Sequence, residues 1–248
     1  MAISTNSVIH YTDRIDHLKG ILECQGFRIK YCLESLDLKI TSALPMAYAM
    51  VCFCDIPLSE VKNHIDTYGS YGIGLSKKWA KEQGLNPVLY IEKNSRMSLA
   101  LDQQGQRIYK LIKEKLDYNE TIMEYSNILS FSKNYEGNLV KGKINSDSYR
   151  FYDEREWRYI PSIEELQASP AILGTKYKED KQAFNDKINN CLLKFSFSDI
   201  SYIIVDNEEE IPEILKTIND VFEDIATSKE LKILSTKILT KNQIWNDF

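Results

Sequence analysis

Two short segments far apart in the chain carry the side chains best suited to chemistry. His10 lies in the run Val-Ile-His-Tyr-Thr, and Glu154 and Glu156 lie in the run Asp-Glu-Arg-Glu-Trp-Arg. Both runs are typical of β-strands, in which alternate side chains point to the same face. We therefore predict a strand over 150–160 that places Glu154, Glu156 and Arg158 on one face. Two carboxylates side by side are costly unless a cation lies between or opposite them.

A histidine on an early strand and a glutamate on a late strand could together hold the ribose of a dinucleotide. An imidazole can donate a hydrogen bond to a ribose hydroxyl, and a fixed carboxylate stabilises the positive charge that develops when an N-glycosidic bond is cleaved. His10 could equally be a structural residue that binds the backbone. Glu154 and Glu156 could equally form an exposed charge ladder with Arg155 and Arg158. The residues alone leave both alternatives open.

A glycine-rich segment at 68–75 precedes another predicted strand. It reads Tyr-Gly-Ser-Tyr-Gly-Ile-Gly-Leu and lacks the G-x-G-x-x-G order of a phosphate-binding fingerprint. Tyr68 and Tyr71 could stack on a flat ring such as nicotinamide, or they could pack in a tight turn. Ser76 is predicted to cap a short helix over 77–83.

The rest of the sequence predicts the elements that must position these residues. Strands are predicted at 8–12, 27–32, 47–54, 87–92, 193–197 and 200–205. Residues 94–133 are predicted to be helical, and the polar residues 134–149 are predicted to form a loop. Because strands and helices mix without strict alternation, the pattern predicts an α+β fold with a mixed sheet. No composition break marks a linker, so we predict a single domain over 1–248 with a mainly helical insertion near 94–133.

Composition narrows the classes of protein that remain. The 248 residues are 43% hydrophobic and carry a net charge of −5. The acidic balance argues against a general nucleic-acid coat, but it leaves a local basic patch open. No run of about eighteen apolar residues occurs, and the N-terminal residues lack a signal-peptide pattern, so we expect a cytoplasmic protein without a membrane partner. Five cysteines and three histidines predict neither a disulfide framework nor a metal site.

Several segments together form a pattern that is shared with a known family. They are residues 8–12, 18–22 (Leu-Lys-Gly-Ile-Leu), 51–57 (Val-Cys-Phe-Cys-Asp-Ile-Pro), 68–75, 87–90 (Pro-Val-Leu-Tyr) and 154–158 (Glu-Arg-Glu-Trp-Arg). This pattern resembles the AbiGi-type abortive-infection family of bacterial phage-defence proteins, over about residues 8 to 205. The resemblance implies the antitoxin half of a two-gene system, with a toxin protein as its partner.

The early His-x-Thr strand, the helix after it and the late glutamate strand are also similar to ADP-ribosyltransferases of the DNA-modifying DarT kind. This resemblance implies an ADP-ribosyltransferase-like mixed sheet and NAD as cofactor. His10 would hold the nicotinamide-side ribose, Tyr71 would stack on the ring, and Glu156 or Glu154 would act on the 2′-hydroxyl. The full set of implied cofactor-binding residues is His10, Tyr11, Thr12, Tyr68 and Tyr71. For the arginine that grips the pyrophosphate, Arg28 is the candidate.

Two functions of different classes therefore remain. A transferase that transfers ADP-ribose or cleaves NAD requires His10, Tyr71 and a glutamate to converge on one cleft. A non-enzymatic antitoxin or regulator, which binds a partner toxin or its macromolecular target, tolerates these residues being scattered. It predicts a large apolar or charged surface patch instead. A DNA-binding regulator is disfavoured because the chain lacks a basic helix-turn-helix stretch.

Overall fold

Strands and helices follow one another irregularly along the chain. The computed structural model describes residues 4–41, 43–114, 119–141 and 144–247. The strands are β1 (Ser7–Thr12), β2 (Gly26–Arg28), β3 (Lys30–Glu34), β4 (Met46–Cys54), β5 (Tyr71–Ser76), β6 (Asn86–Pro87), β7 (Leu89–Ile91), β8 (Ser132–Asn134), β9 (Gly137–Lys141), β10 (Ile144–Tyr149), β11 (Glu156–Tyr159), β12 (Ala171–Leu173), β13 (Leu192–Lys194), β14 (Ile200–Val205) and β15 (Ile238–Thr240). The helices are α1 (Ile15–Glu23), α2 (Lys62–Tyr68), α3 (Lys77–Glu82), α4 (Arg96–Lys113), α5 (Asn119–Ser130), α6 (Ile163–Leu166), α7 (Gly174–Glu179), α8 (Lys181–Lys187), α9 (Ile211–Phe222), α10 (Ser228–Ser235) and α11 (Lys241–Asp247). The predicted α+β class is confirmed.

Strand β4 pairs with four other strands of the main sheet, β1, β3, β11 and β12. Within the described residues this sheet has nine strands, and its main path runs β15-β14-β5-β1-β4-β11-β6. Strands β14 and β15 are parallel and the other neighbours on this path are antiparallel, so the sheet is mixed as predicted. The first half of β4 pairs with β3 and β12, and its second half pairs with β11. Because β4 is covered on both faces, it is a continuous apolar run without alternation.

The register of β1 divides its side chains between two faces of the sheet. His10 lies opposite Ile73 of β5, on the face that carries the main core beneath α1 and α9. Ile9 and Tyr11 point the other way, into a smaller apolar cluster with Ile65 of α2. Neighbouring residues of the predicted NAD site therefore lie on opposite sides of the sheet.

Helices α4 and α5 occupy the segment that was predicted to be helical, with residues 115–118 outside the described ranges. Ser95 caps α4 by accepting a hydrogen bond from the backbone N–H of Ser98. Leu101 of α4 packs with Leu36 and Ile91 in a small core of its own. Although α4 has 18 residues, no helix of the described ranges is both long and apolar enough to cross a membrane.

The strand predicted over 150–160 is shorter than expected. Phe151–Glu154 forms a 3-10 turn, and Arg155 adopts a left-handed conformation with φ 46° before β11 begins at Glu156. The turn and the left-handed residue end the alternation of an extended strand. The prediction that Glu154 lies on this strand was therefore wrong, whereas Glu156 and Arg158 do share a face.

Residues 134–141 and 144–149 are not the predicted loop, and residues 142–143 lie outside the described ranges. Strands β9 and β10 form an antiparallel hairpin there, in which Asn145 lies opposite Val140. The described side chains of this hairpin are half-buried or exposed. With no buried face, the hairpin lacks the apolar alternation by which a strand is recognised in a sequence. The predicted Ser76 cap, in contrast, is confirmed, because its side chain accepts from the backbone N–H of Trp79.

Candidate functional site

Five charged side chains, which we call the charge network, meet in the protein interior. They are Glu34 at the end of β3, Lys133 on β8, Glu154 in the turn before β11, and Glu156 and Arg158 on β11. Glu154 is 3% exposed, Glu156 is 7% exposed and Arg158 is fully buried. Burying charges is costly unless each one is paired and hydrogen-bonded. The geometry of the network shows how the protein meets this requirement.

Lys133 lies between the two predicted catalytic carboxylates. Its Nζ is 2.6 Å from Glu154 Oε2 and 3.0 Å from Glu156 Oε2. Arg158 donates from Nε to Glu156 Oε1 at 2.8 Å, and its Nη2 lies 3.2 Å from Glu34 Oε1. The other guanidinium nitrogen, Nη1, donates to the carbonyl oxygen of Ser130 at 2.7 Å. The cation that two neighbouring carboxylates need is thus present, and it comes from a different strand.

Tyrosines complete the surroundings of the network. The Tyr68 hydroxyl donates to Glu154, and the Tyr90 hydroxyl accepts from the backbone N–H of Glu156 at 2.8 Å. The structure therefore brings together three predicted site residues, Tyr68, Glu154 and Glu156. Tyr11 lies on the same side of the sheet, and its buried hydroxyl has no hydrogen-bond partner among the described residues.

The network shifts the pKa values of Glu156 and Lys133. Burial alone would raise the pKa of Glu156, but the charges of Arg158 and Lys133 outweigh burial and hold that pKa well below its usual range. Burial would lower the pKa of Lys133, but the charges of Glu156 and Glu154 outweigh it and raise the pKa. Burial and the charge of Glu154 raise the pKa of Tyr68. Glu156 is therefore ionised at neutral pH, which makes it a poor general base, and Lys133 and Arg158 already contact its oxygens.

His10 lies on the opposite face of the sheet from Glu156. Ile9 and Glu156 both pair with Cys54 of β4, so they share a face, and His10 is one residue farther along β1. The Nδ1 atom of His10 is 2.8 Å from the carbonyl oxygen of Cys52. The imidazole also packs edge-on against Phe27, with ring centroids 5.1 Å apart. Burial lowers the pKa of His10, so the ring is held neutral.

Three further predicted NAD contacts, Thr12, Tyr71 and Arg28, are also separate from the charge network. Thr12 and Tyr71 lie opposite each other in the ladder between β1 and β5, on the His10 face. The Tyr71 hydroxyl donates to Glu210 at 2.7 Å. Arg28, the candidate for the pyrophosphate, donates to the side-chain oxygen of Asn189 at 3.1 Å. The two halves of the predicted site are thus divided by the sheet.

A second region, which we call the α4–α5 groove, is apolar and open. It is a cavity of about 800 Å³ between α4, α5 and the start of β4. Its walls include Ile108, Tyr109 and Ile112 from α4 and Ile122, Tyr125 and Leu129 from α5. Tyr109 is 67% exposed and Ile112 is 42% exposed, so apolar side chains reach solvent along this edge.

Sequence reasoning missed the groove, two members of the charge network and one tyrosine beside it. The apolar stripes of α4 and α5 look the same whether they face a core or an open groove. Glu34, Lys133 and Tyr90 come from three other strands, and no spacing in the sequence connects them to Glu156. The only available signal was the physical requirement for a cation beside the paired carboxylates.

Comparison with known proteins gives the family of the chain. A family model described as "Putative abortive phage resistance protein AbiGi, antitoxin" matches residues 25–206. The chain belongs to the AbiGi family. Its charge network and its α4–α5 groove lie inside the matched range, whereas His10, Tyr11 and Thr12 precede it.

A curated relative agrees with this AbiGi assignment. The chain is 31% identical over 228 residues to the abortive phage resistance protein AbiGi of Lactococcus lactis subsp. cremoris. The alignment covers 80% of this chain and 88% of that protein. No solved structure matches the chain. The family expected from the sequence is confirmed, and an abortive-infection, phage-defence context follows from it.

Proposed function

We propose that this AbiGi-family chain acts as the antitoxin of an abortive-infection pair, and that it binds a toxin protein and holds it inactive. The family description supports this proposal, since it names an antitoxin. The observation that carries it structurally is the α4–α5 groove. Contiguous exposed apolar surface of this kind is typical of protein–protein contact sites.

The division of the predicted NAD residues also favours binding over catalysis. A transferase requires His10, Tyr71 and Glu156 in one cleft, but the sheet separates Glu156 from the other two. Glu156 is also engaged by Lys133 and Arg158. An antitoxin requires none of these residues to converge. The ADP-ribosyltransferase-like fold and the NAD site stay predictions, and they are tested separately below.

The antitoxin proposal is tested by neutralisation. The chain and the toxin of its own abortive-infection pair are placed under separate inducible promoters in a bacterial host. We expect toxin alone to arrest growth and co-expression to restore it, with the two proteins eluting as one complex after purification. Continued arrest in cells that contain folded chain would refute the proposal.

NAD chemistry is tested with the purified chain. Calorimetry with millimolar NAD would detect even a site of about −4 kcal/mol, and nicotinamide release would report turnover. Binding that is lost in His10→Ala, together with turnover that is lost in Glu156→Gln, would favour the transferase. We expect neither binding nor turnover from the wild-type chain.

A further inference from the structure

We infer that the α4–α5 groove receives an amphipathic helix of the toxin that carries acidic side chains beside its apolar face. This inference rests on the proposed antitoxin function and names the chemistry of the segment that is bound. Helix-in-groove recognition uses apolar anchors at helical spacing, and both walls of the groove are built to accept them.

Two apolar stripes face each other across the groove. On α4 the lining residues Gly105, Ile108, Tyr109 and Ile112 follow the spacing i, i+3, i+4, i+7, which marks one side of a helix. On α5 the lining residues Ile122, Tyr125, Ser126 and Leu129 follow the same spacing. Helices normally cover such stripes by packing on one another. Here the stripes flank a cavity of about 800 Å³ that is wide enough to receive a third helix.

The groove is closed near the start of α4, and its lining side chains are more exposed toward the end of α4, beside residues 115–118, which lie outside the described ranges. Near the start of α4, Tyr125 donates to the carbonyl oxygen of Leu101 at 3.0 Å, and a Cβ atom at Gly105 would lie 2.9 Å from the Tyr125 hydroxyl. Leu101 there is 6% exposed, whereas Ile112 near the end of α4 is 42% exposed. The wall from Asp102 to Lys113 is roughly 17 Å long at 1.5 Å per residue, which suits a helix of about three turns.

Among the described residues, the charge in the groove that has no partner is positive. Lys110 and Lys113 line the groove, and neither forms an ion pair with any residue that the structure describes. The carboxylate that lines the groove, Asp102, is already satisfied, because it accepts from the backbone N–H groups of Ile40 and Thr41 and from the Thr41 hydroxyl. A ligand helix with glutamate or aspartate beside its apolar face would pair with the two lysines.

A second copy of this chain is a poor occupant of the groove. In a symmetric dimer the same patch meets itself, so Lys110 and Lys113 would have to find partners within that patch. Among the described lining residues the patch offers one carboxylate, Asp102, which is already hydrogen-bonded. The charge of the groove therefore favours a different, acidic protein segment.

The first test uses a defined probe. The probe is a fluorescein-labelled, capped 15-residue peptide with leucines at i, i+3, i+4 and i+7 and glutamates on both flanks, and a matched peptide carries lysine at each glutamate position. Fluorescence anisotropy with the full chain should show binding of the glutamate peptide, weakened by salt, and at least tenfold weaker binding of the lysine peptide. Equal binding of both peptides, or of neither, would overturn the inference.

A matched pair of variants locates the binding site. Ile112→Arg places a charge on the groove wall, and Ile233→Arg makes the same change on α10, where the side chain is 49% exposed instead of 42%. We expect Ile112→Arg to weaken binding of the glutamate peptide at least tenfold and Ile233→Arg to leave it unchanged. Urea unfolding of both variants checks that each one is folded. If the free chain is a dimer that Ile112→Arg dissociates, the occupant is a second copy and the inference is wrong.

The same variants separate this inference from the antitoxin proposal. When the wild-type chain neutralises its toxin, Ile112→Arg should fail to do so and Ile233→Arg should succeed. If both variants neutralise like the wild type, the groove is not the docking site, while the antitoxin function stands. If the wild-type chain does not neutralise, the antitoxin proposal falls, and the toxin as occupant falls with it.

Discussion

The charge network and the α4–α5 groove differ in how completely the chain itself satisfies their side chains. In the network, Lys133, Arg158 and Tyr68 pair with the buried carboxylates, and Tyr90 accepts from the backbone N–H of Glu156. In the groove, apolar side chains reach solvent and two lysines lack an ion pair within the described residues. Strongly shifted pKa values are common at active sites, but they also arise in structural networks. The network is thus satisfied within the chain, whereas the groove is not, and this difference supports the proposal that a partner binds in the groove.

The largest effect on stability is expected when the charge network loses the guanidinium of Arg158. Arg158→Met would remove a partner of Glu34 and leave the buried charge of Glu156 with Lys133 alone, so we expect a loss of about 3 kcal/mol in the free energy of unfolding. Urea unfolding followed by circular dichroism measures this loss. A variant as stable as the wild type would show that the network does not support the fold.

The control for Arg158→Met is Arg14→Met, the same substitution at an exposed arginine. Arg14 pairs with Asp16 at 2.8 Å, and both side chains are more than half exposed. Solvent and salt screen such a pair, so Arg14→Met should leave the urea midpoint within experimental error of the wild type.

A substitution in the α4–α5 groove should have the opposite effect: it should weaken toxin binding strongly and change the free energy of unfolding little. Tyr109→Ala removes an aromatic ring that is 67% exposed and lines the groove. We expect toxin affinity to fall at least tenfold, because exposed aromatic residues often anchor interfaces, while the urea midpoint is unchanged. Tyr152→Ala, at a tyrosine that is 54% exposed elsewhere, is the matched control. Equal affinity of Tyr109→Ala and wild type would mean that the groove is not an interface.

A smaller effect is expected in the acid dependence of stability. The pKa of Glu156 is lowered in the folded protein, whereas it is about 4.3 in an unfolded chain. The stabilisation from Glu156 is therefore present above about pH 4.3 and is lost as the pH falls below it. Urea unfolding at a series of pH values should show a steep loss below about pH 4.5 for the wild type and a shallower loss for Glu156→Gln. The exposed Glu223→Gln variant should follow the wild-type profile.

The smallest effect is expected at His10 on the other face of the sheet. Burial lowers the pKa of His10 in the folded state, while an unfolded histidine titrates near pH 6.5. The unfolded state thus binds a proton first as the pH falls, so stability should decrease from about pH 7 to pH 5 by at most ~1.4 kcal/mol per pH unit. His10→Asn keeps a donor for the Cys52 carbonyl and removes the titration, so it should flatten this slope. His17→Asn, at an exposed histidine, should leave the slope of stability against pH unchanged.

The elements that carry apolar patterns were predictable from the sequence. Strands β1, β4 and β14 and the helices of the 94–133 segment have enough periodicity or apolar length to be recognised. The β9–β10 hairpin was missed because it has no buried face. The start of β11 was misplaced because Arg155 adopts φ 46°, a conformation that its residue type does not signal.

The candidate site was predictable only in part. Glu156 and Arg158 share a face because they are two residues apart on one strand, which the sequence shows directly. Lys133 could be anticipated as a cation but not identified, since β8 reaches the network only through tertiary packing. The separation of His10 from Glu156 depends on the register of β1 and β11 against β4, and no single strand encodes that register.

The most direct test compares toxin binding by Glu156→Gln, Ile112→Arg and the wild-type chain, measured by calorimetry with purified toxin. Glu156→Gln should remain folded, because the network pairs three carboxylates with two cations and the variant leaves two of each. We predict that Glu156→Gln binds toxin within about threefold of the wild type, and that Ile112→Arg binds at least tenfold more weakly. Folded Glu156→Gln without toxin binding, beside Ile112→Arg with wild-type affinity, would contradict the assignment of the groove as the interface.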